Sequence, residues 1–173
     1  MAHLSYVEKE GAAPDQEKIL AQVTQRSGKI ANIWKIFAHS PLMLETFMPF
    51  YKTLMTKGVL DGKLRELAYL KTSSINGCAY CANAHKPSGA KFGVTDQQLQ
   101  EIDSYENSPL FSPVEKAVLR YAEELTRNVK TSDESMKELK KYLNEAQIVE
   151  LNLTIGVANL TNRFNVSFAT DPD

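Results

Sequence analysis

The chain has 173 residues, of which 43% are hydrophobic and 24% are charged, as expected for one globular domain with a sizeable core. Its 20 lysines and arginines are interspersed with 21 aspartates and glutamates, which argues against nucleic acid or an anionic membrane as a partner. Since no apolar run approaches the roughly 20 residues that span a bilayer, and no secretory signal is visible, we expect a cytoplasmic protein.

Helical patterns fill the chain from residue 15 onward, after a predicted irregular arm over residues 1–14. Several helix starts carry a capping Ser or Thr, some with proline at the first helical position, as in Ser40-Pro41. Because no alternating strand pattern persists between turn signals, we predict a single all-α domain over residues 1–173, a compact helical bundle. The predicted helices cover residues 15–26, 32–39, 41–54, 61–75, 78–90, 95–105, 112–125, 131–143 and 146–168.

An aromatic-rich segment lies among the first of these helices. Its apolar side chains are Trp34, Phe37, Phe47, Met48, Phe50 and Tyr51. They have two interpretations. Burial in the core is the ordinary one for such residues, and the other is that some of them line a subunit contact or the mouth of a substrate pocket.

The most informative pattern lies in the central stretch over residues 61–95, which contains both cysteines of the chain. Glu66, Cys78, Cys81 and His85 follow the spacing Glu-x₁₁-Cys-x₂-Cys-x₃-His. If the second helix of this stretch begins near Cys78, both cysteines and the histidine share one of its faces. Two thiols and an imidazole in this arrangement predict a redox site with a reversible disulfide.

The turn between the two helices of this stretch decides where the glutamate goes. Asn76-Gly77 is a helix stop, since glycine can take the positive φ that ends a helix. With a break there, the helices can fold back as an antiparallel pair, and the axial positions of Glu66 and His85 then differ by only about 3 Å. We therefore predict a contact between Glu66 and His85, direct or through a water.

This geometry also predicts a reactive thiol. Thiolate formation is favoured at helix N-termini and near an imidazolium. Glu66 would accept a proton passed along by His85, which leaves a thiolate at Cys81. Tyr80, between the two cysteines, would donate a hydrogen bond or simply pack.

The cysteine pair has two other interpretations. It could be part of a zinc site, but a closed structural site needs four ligands, and His3 and His39 are distant and lack ligand spacing. A purely structural disulfide would close a loop of about four residues and gain little chain entropy. We therefore predict no metal and no other cofactor, and we expect catalytic thiols in a reducing cytoplasm.

The motif and its continuation resemble the alkyl hydroperoxidase D-like branch of the carboxymuconolactone decarboxylase superfamily. The continuation includes Ala90, Gly93, Val94 and Thr95, in the order that this branch shows after the histidine. The resemblance covers residues 33–168 and implies an all-α fold that carries the cysteine pair on an antiparallel helix pair. It does not imply lactone decarboxylation, because the decarboxylase branch lacks the cysteine pair.

The resemblance also implies roles for the motif residues. Cys81 would be the thiol that attacks a peroxide, and Cys78 would be the resolving and more exposed thiol. Glu66 and His85 would form the proton relay. Tyr80, a possible accessory residue, stands where the best-studied peroxidases of the branch often carry a further histidine of that relay.

The implied function is that of a thiol-dependent alkyl hydroperoxidase or disulfide reductase, an antioxidant oxidoreductase. Its substrate would be a hydroperoxide, and its reductant an external dithiol or a lipoyl-type group. The resemblance further implies a homo-oligomer. The alternative is a non-enzymatic thiol redox sensor, or a binding protein on the same fold.

A faint internal repeat relates residues 145–168 to the motif. The segment LRELAYL around Glu66 aligns with IVELNLT around Glu150, 84 residues further on. At the same offset, Asn162 and Asn165 stand in place of the two cysteines. Either the second half is a degenerate copy of the helix pair without its redox chemistry, or helical patterns simply recur.

Overall fold

The computed structural model describes the backbone of residues 1–173 and the side chains of residues 1–24 and 28–173. The regular structure of this described part is helical, which confirms the predicted all-α class. Among the described residues, no helix is long and apolar enough to cross a membrane. The helices are α1 (Pro14–Ser27), α2 (Asn32–Phe37), α3 (Pro41–Lys57), α4 (Gly62–Ile75), α5 (Ala79–Lys91), α6 (Asp96–Gln100), α7 (Pro113–Asn128), α8 (Asp133–Leu139) and α9 (Glu145–Ser167).

Helix α4 is the central element, in contact with α5, α7 and α9. All of its residues from 64 to 73 are buried, including the charged side chains of Arg65, Glu66 and Lys71. The sequence pattern predicts an amphipathic helix here, whereas a helix buried on every side belongs to the core. A charged side chain on such a helix must find its partners inside the protein, and this condition places Glu66 against α5.

A tight turn joins α4 to α5 at the predicted break. Asn76 is the C-cap of α4, and Gly77 has a φ of +64°, a left-handed value that glycine takes without a Cβ clash. The N–H of Cys78 then donates to the carbonyl oxygen of Ser73 over 2.9 Å. Cys78 becomes the N-cap of α5, and the two helices pack against each other.

Three hydrophobic clusters include side chains of α4, and two of them flank the region of the cysteines and the opposite side of the helix. One connects α4 with α7, α8 and α9, and its buried members include Leu64, Val118, Leu139, Leu151 and Ile155. The other contains the two cysteines, packed with side chains of α3, α4 and α9, namely Leu54, Met55, Tyr69, Val157 and Ala158. The sulfur atoms are therefore set inside an apolar wall rather than at an open helix end.

The predicted helix over residues 95–105 is shorter in the structure, because α6 ends at Gln100. Turns follow, and the carboxylate of Asp103 reaches back to α4. It accepts hydrogen bonds from Lys71 Nζ over 3.1 Å and from Ser74 Oγ over 2.7 Å. The ion pair with a buried lysine fixes this segment against α4 in place of a further helical turn.

Helix α9 runs without a break, so the helix pair expected of a second repeat does not form within this described segment. Leu160 and Thr161 occupy the positions that correspond to Asn76-Gly77. Neither residue favours the positive φ that ends a helix. The alignment of the two segments stays a prediction, but its second member is one continuous helix.

Candidate active site

The two cysteines form a disulfide at the start of α5, with 5.3 Å between their Cα atoms. Cys78 is the N-cap, and its Sγ accepts the N–H of Cys81 over 3.2 Å. The exposed fraction is 1% for Cys78 and 2% for Cys81, so the expectation of a more exposed Cys78 is wrong. Apolar side chains of α3 and α9 pack against both cysteines and bury them alike.

Glu66 and His85 are in direct contact, as the spacing predicts. His85 Nδ1 lies 2.8 Å from Glu66 Oε2, and Ser88 donates to Glu66 Oε1 over 2.8 Å. Because an ionised carboxylate only accepts, Nδ1 carries the proton, and in the neutral imidazole Nε2 is left as an acceptor. The hydroxyl of Tyr51, 3.1 Å from Nε2, donates to it in this tautomer. The result is a hydrogen-bonded chain from Tyr51 through His85 to Glu66.

A second tyrosine fixes the plane of the imidazole. The ring of Tyr69 stacks on that of His85, with centroids 3.6 Å apart and planes 16° apart, and the Tyr69 hydroxyl pairs with Thr161 Oγ1 over 2.5 Å. Burial raises the pKa of Tyr69 to about 12 and holds the pKa of Tyr51 well above its ordinary value of 10.0. Both hydroxyls therefore keep their protons at neutral pH.

The chain of Tyr51, His85 and Glu66 lines a cavity of about 250 Å³. Cys81 lines the same cavity, so one sulfur and the acid–base groups face a common space. Much of the remaining wall is aromatic or apolar, formed by Ile33, Trp34, Met55, Tyr69 and Tyr80. Two members of the aromatic-rich segment, Trp34 and Tyr51, thus line a cavity rather than only filling the core.

A wider groove of about 600 Å³ lies on the opposite face of α5, and Cys78 lines it. Its members on α5 are Ala79, Ala82, Asn83 and Lys86. The members of the cavity on α5 are Tyr80, Cys81, Ala84, His85 and Ser88. At 3.6 residues per turn these two sets occupy opposite sides of the helix. Cys81 is therefore in the cavity and Cys78 in the groove, so the prediction that both cysteines and the histidine share one face of the helix is wrong for Cys78.

Tyr80 does not join the chain of Tyr51, His85 and Glu66. Its hydroxyl donates to Asp173 Oδ2 over 2.9 Å and accepts the N–H of Ile33 over 3.3 Å. Burial raises its pKa above the ordinary value. Tyr80 therefore packs its ring into the cavity wall and connects the wall to the C-terminal segment through Asp173.

Among the described residues, no three His, Cys, Asp or Glu side chains are grouped so as to hold a metal ion.

Three residues of the site carry no clear signal in the motif. Ser88 lies three positions after His85 on the same helical face, a relation that the spacing could have revealed. Tyr51 comes from α3 and Asn165 from α9, so only tertiary packing brings them in. Asn165 Nδ2 donates to Cys81 Sγ over 3.3 Å. The repeat alignment sets Asn165 at the position equivalent to Cys81, but it does not predict that the two side chains are in contact.

Comparison with known sequences connects this site to a family. The sequence profile of the carboxymuconolactone decarboxylase family matches residues 41–124, a stretch that contains the whole motif. The uncharacterised protein YdfG of Bacillus subtilis is 31% identical over 105 residues, which are 60% of this chain and 71% of YdfG.

Solved structures share the fold. A protein of unknown function from Agrobacterium tumefaciens, named after the antioxidant defence protein AhpD, is 25% identical with a TM-score of 0.72, over 78% of this chain and 93% of that one. The debrominase Bmp8 is 18% identical with a TM-score of 0.82, over 100% and 94% of the two chains. The second likeness is one of fold alone. Since one helical scaffold can carry several chemistries, function has to be argued from the site.

Proposed function

This chain belongs to the carboxymuconolactone decarboxylase superfamily as an alkyl hydroperoxidase D-like protein, and on that premise we propose that it is a thiol-dependent peroxidase. One observation carries the proposal. Cys81 shares a cavity with the chain of Tyr51, His85 and Glu66, while Cys78 of the same disulfide lines a groove on the opposite face of α5. Such a disulfide can be formed by a substrate on one side and reduced from the other.

The oxidising step takes place at Cys81. In the reduced protein, its thiolate attacks the hydrogen-bearing oxygen of a hydroperoxide. An S–O bond forms as the O–O bond breaks, so the sulfur is oxidised to a sulfenic acid and an alkoxide leaves with the electron pair. The thiolate of Cys78 then attacks the sulfenic sulfur, which forms the disulfide and releases the oxygen as water once it is protonated.

The proton movements belong to the cavity. His85 lies one helical turn after Cys81, accepts the proton that the thiol releases and returns it to the departing alkoxide. Glu66, hydrogen-bonded to Nδ1, stabilises the imidazolium that exists between these two transfers. Tyr51 orients the ring at Nε2, where its hydroxyl donates to the neutral imidazole and accepts from the imidazolium, and it keeps its own proton because burial raises its pKa.

The cavity wall favours an organic hydroperoxide over hydrogen peroxide. Trp34, Met55 and Tyr69 present apolar surface to a space of about 250 Å³. Burying an apolar group there contributes roughly 25 cal/mol per Å² removed from water. A compact alkyl or aryl group would gain this stabilisation, whereas hydrogen peroxide has no such group to bury.

The groove is the side from which a reductant would approach. Its lining includes the ion pair between Lys86 and Asp96, 3.2 Å apart, together with apolar side chains such as Leu99 and Ile102. This mixture fits an external dithiol on an aliphatic arm, a lipoyl-type group included. The dithiol attacks Cys78 at the floor of the groove, and it leaves as a disulfide after returning two electrons to the protein.

Turnover measurements test the proposal. Wild-type protein with excess cumene hydroperoxide and dihydrolipoamide should consume many equivalents of hydroperoxide per chain, and Cys81→Ser should consume none. A wild-type protein that consumes one equivalent of hydroperoxide and then stops, because its disulfide is left unreduced by each of several dithiols, would be a redox sensor. That result would overturn the assignment as an enzyme.

A further inference from the structure

Asn165 connects the end of α9 to the disulfide. Its Nδ2 donates to Cys81 Sγ over 3.3 Å, and the residue is 3% exposed. Its backbone carbonyl oxygen accepts the N–H of Thr170 over 3.0 Å. The preceding residue, Phe164, stacks on Phe37 with ring centroids 4.7 Å apart. The last turn of α9 is therefore fixed by packing and by hydrogen bonds, and this fixes the amide against the sulfur.

The other end of this amide has no protein partner. Among the described residues, no donor reaches Asn165 Oδ1, although the atom is buried. A buried carbonyl oxygen without a donor is costly and rare in folded proteins, so a native one calls for a physical reason. Asn165 also lines the cavity that holds Cys81 and His85. A molecule bound in the cavity can therefore supply the donor.

Two other buried polar atoms among the described residues have no partner, Arg65 Nε and Thr170 Oγ1. Neither residue lines the cavity. Asn165 thus differs from them in two respects, because it faces the space that the substrate would occupy and its other polar atom already contacts a reacting sulfur. These two independent observations point to a ligand contact rather than to imperfect packing.

We propose that Asn165 is a catalytic residue of the peroxide step, which holds the thiolate with Nδ2 and the hydroperoxide with Oδ1. The inference rests on the proposed peroxidase function. The O–H group of a hydroperoxide is a donor, and its oxygen is the atom that Cys81 attacks. With the O–H group on Oδ1, that oxygen is held beside the sulfur. As the S–O bond forms and the O–O bond breaks, the alkoxide leaves with the electron pair and receives a proton from His85.

Each sulfur of the pair then has its own donor. The N–H of Cys81 donates to Cys78 Sγ, so the start of α5 acts on Cys78, whereas Cys81 has the amide of Asn165. A donor stabilises a thiolate more than a thiol, because a hydrogen bond to a charged acceptor is stronger. Asn165 thus supplies a hydrogen-bond donor to Cys81, as the backbone at the start of α5 does to Cys78. Its Oδ1 adds an acceptor for the O–H group of the hydroperoxide.

Variants can distinguish the effect of Asn165 Nδ2 from that of Asn165 Oδ1. All of them carry Cys78→Ser, so that Cys81 is the remaining thiol. Asn165→Asp keeps the size and an acceptor but replaces the donor with a negative charge. Asn165→Ala removes both polar atoms. Asn162→Ala is a matched control, since Asn162 is a buried amide of the same helix whose Nδ2 donates to Ser73 Oγ over 3.1 Å.

Two measurements on each variant decide the matter. Ultraviolet absorbance of the thiolate across pH gives the pKa of the Cys81 thiol, and we expect it to rise in both Asn165 variants, most in Asn165→Asp because like charges repel. Rapid mixing with cumene hydroperoxide, at a pH at which the Cys81 thiol is fully ionised, gives the rate of thiolate oxidation. At that pH, Asn165→Ala should react about tenfold more slowly than the Cys78→Ser parent, which is the scale of one lost hydrogen bond in the transition state. Asn162→Ala should keep both values.

The possible outcomes are distinct. An unchanged thiol pKa in both Asn165 variants would overturn the contact through Nδ2, and Asn165→Asp tests it even if the alanine variant fails to fold. An unchanged rate for fully ionised Asn165→Ala would overturn the contact through Oδ1. A wild-type protein that consumes no hydroperoxide would overturn the proposed function instead, while the thiol titration would still decide the contact through Nδ2.

Discussion

The cavity and the groove differ in almost every property, although one disulfide separates them. The cavity is smaller, about 250 Å³ against about 600 Å³, and it contains the hydrogen-bonded chain of Tyr51, His85 and Glu66. The groove has surface charges and no comparable buried acid–base group among its described residues. We therefore expect proton transfer on the cavity side of the disulfide and electron supply from a bulky reductant on the groove side.

The register of α5 produces this division. Cys78, the N-cap of α5, is joined by the disulfide to Cys81. The side chains that follow on the helix nevertheless face opposite sides. Asn83 lines the groove, and Ala84, the next residue, lines the cavity. Successive helical residues are rotated by about 100°, so a single helix can serve both sides. Substitutions on α5 can therefore address one half-reaction without the other.

The largest effect should come from the acid–base groups of the cavity. Glu66→Gln and His85→Ala should each slow the reaction of the reduced protein with cumene hydroperoxide by about 100-fold at neutral pH, the lower end of general acid–base contributions. Reduction of the disulfide by dihydrolipoamide, which takes place in the groove, should change far less. The double variant should lose less than the product of the two factors, because the two residues act as one unit. Rapid-mixing measurements of each half-reaction check this.

A matched control exists in another buried glutamate. Glu115 is 6% exposed and pairs with Lys63 over 2.6 Å, outside the cavity. Glu115→Gln should lower the free energy of unfolding but leave the peroxide rate unchanged. Equal losses of peroxide rate in Glu66→Gln and Glu115→Gln would reduce Glu66 to a structural residue.

Steric changes on α5 should have a smaller, several-fold effect, each on one half-reaction only. Asn83→Phe places an aromatic ring in the groove and should slow disulfide reduction by dihydrolipoamide, with the peroxide step unaffected. Ala84→Phe narrows the cavity and should slow the reaction with cumene hydroperoxide, with reduction unaffected. The two exposed neighbours serve as controls for each other. If both variants slowed the same half-reaction, the division between cavity and groove would be wrong.

The smallest effect concerns stability at alkaline pH, and it should originate on the cavity side. Burial raises the pKa of Tyr69 from 10.0 to about 12. Between pH 10 and pH 12 the Tyr69 hydroxyl of the unfolded chain has lost a proton that the folded protein keeps. The contribution of Tyr69 to the free energy of unfolding is therefore complete below pH 10 and is lost as the pH rises towards 12. Tyr69→Phe should make the unfolding free energy fall less steeply across this window, by up to about 1.4 kcal/mol per pH unit. Urea denaturation across pH tests it, and an unchanged slope would contradict it.

The sequence predicts the parts of the site that depend on local spacing. The contact between Glu66 and His85 follows from two helical segments and one glycine turn, and the position of Cys78 follows from the same turn. The role of Tyr51 and Asn165 could not be predicted in this way, because α3 and α9 bring them in through packing between distant segments. The burial of Cys78 escaped prediction for the same reason.

The helix bounds show a similar limit. Capping residues locate the start of α6 correctly, with Thr95 as its N-cap, but the predicted helix continues to residue 105, past the observed end at Gln100. The ion pair between Asp103 and buried Lys71 is favoured over further helical turns. In the second half, the helical pattern predicts one helix over residues 146–168, and α9 does continue through Thr161, the position where the first segment turns at Gly77.

The division of the two half-reactions can be tested by locating the sulfur that a hydroperoxide oxidises. Reduced Cys78→Ser and reduced Cys81→Ser each react with one equivalent of cumene hydroperoxide in the presence of dimedone, which traps sulfenic acids, and mass spectrometry locates the adduct. We expect an adduct on Cys81 in the first variant and a rate of adduct formation at least about 100-fold lower for Cys78 in the second, because the acid–base groups act in the cavity. Equal rates of adduct formation, or an adduct on Cys78 alone, would show that Cys81 is not the peroxide-reactive thiol.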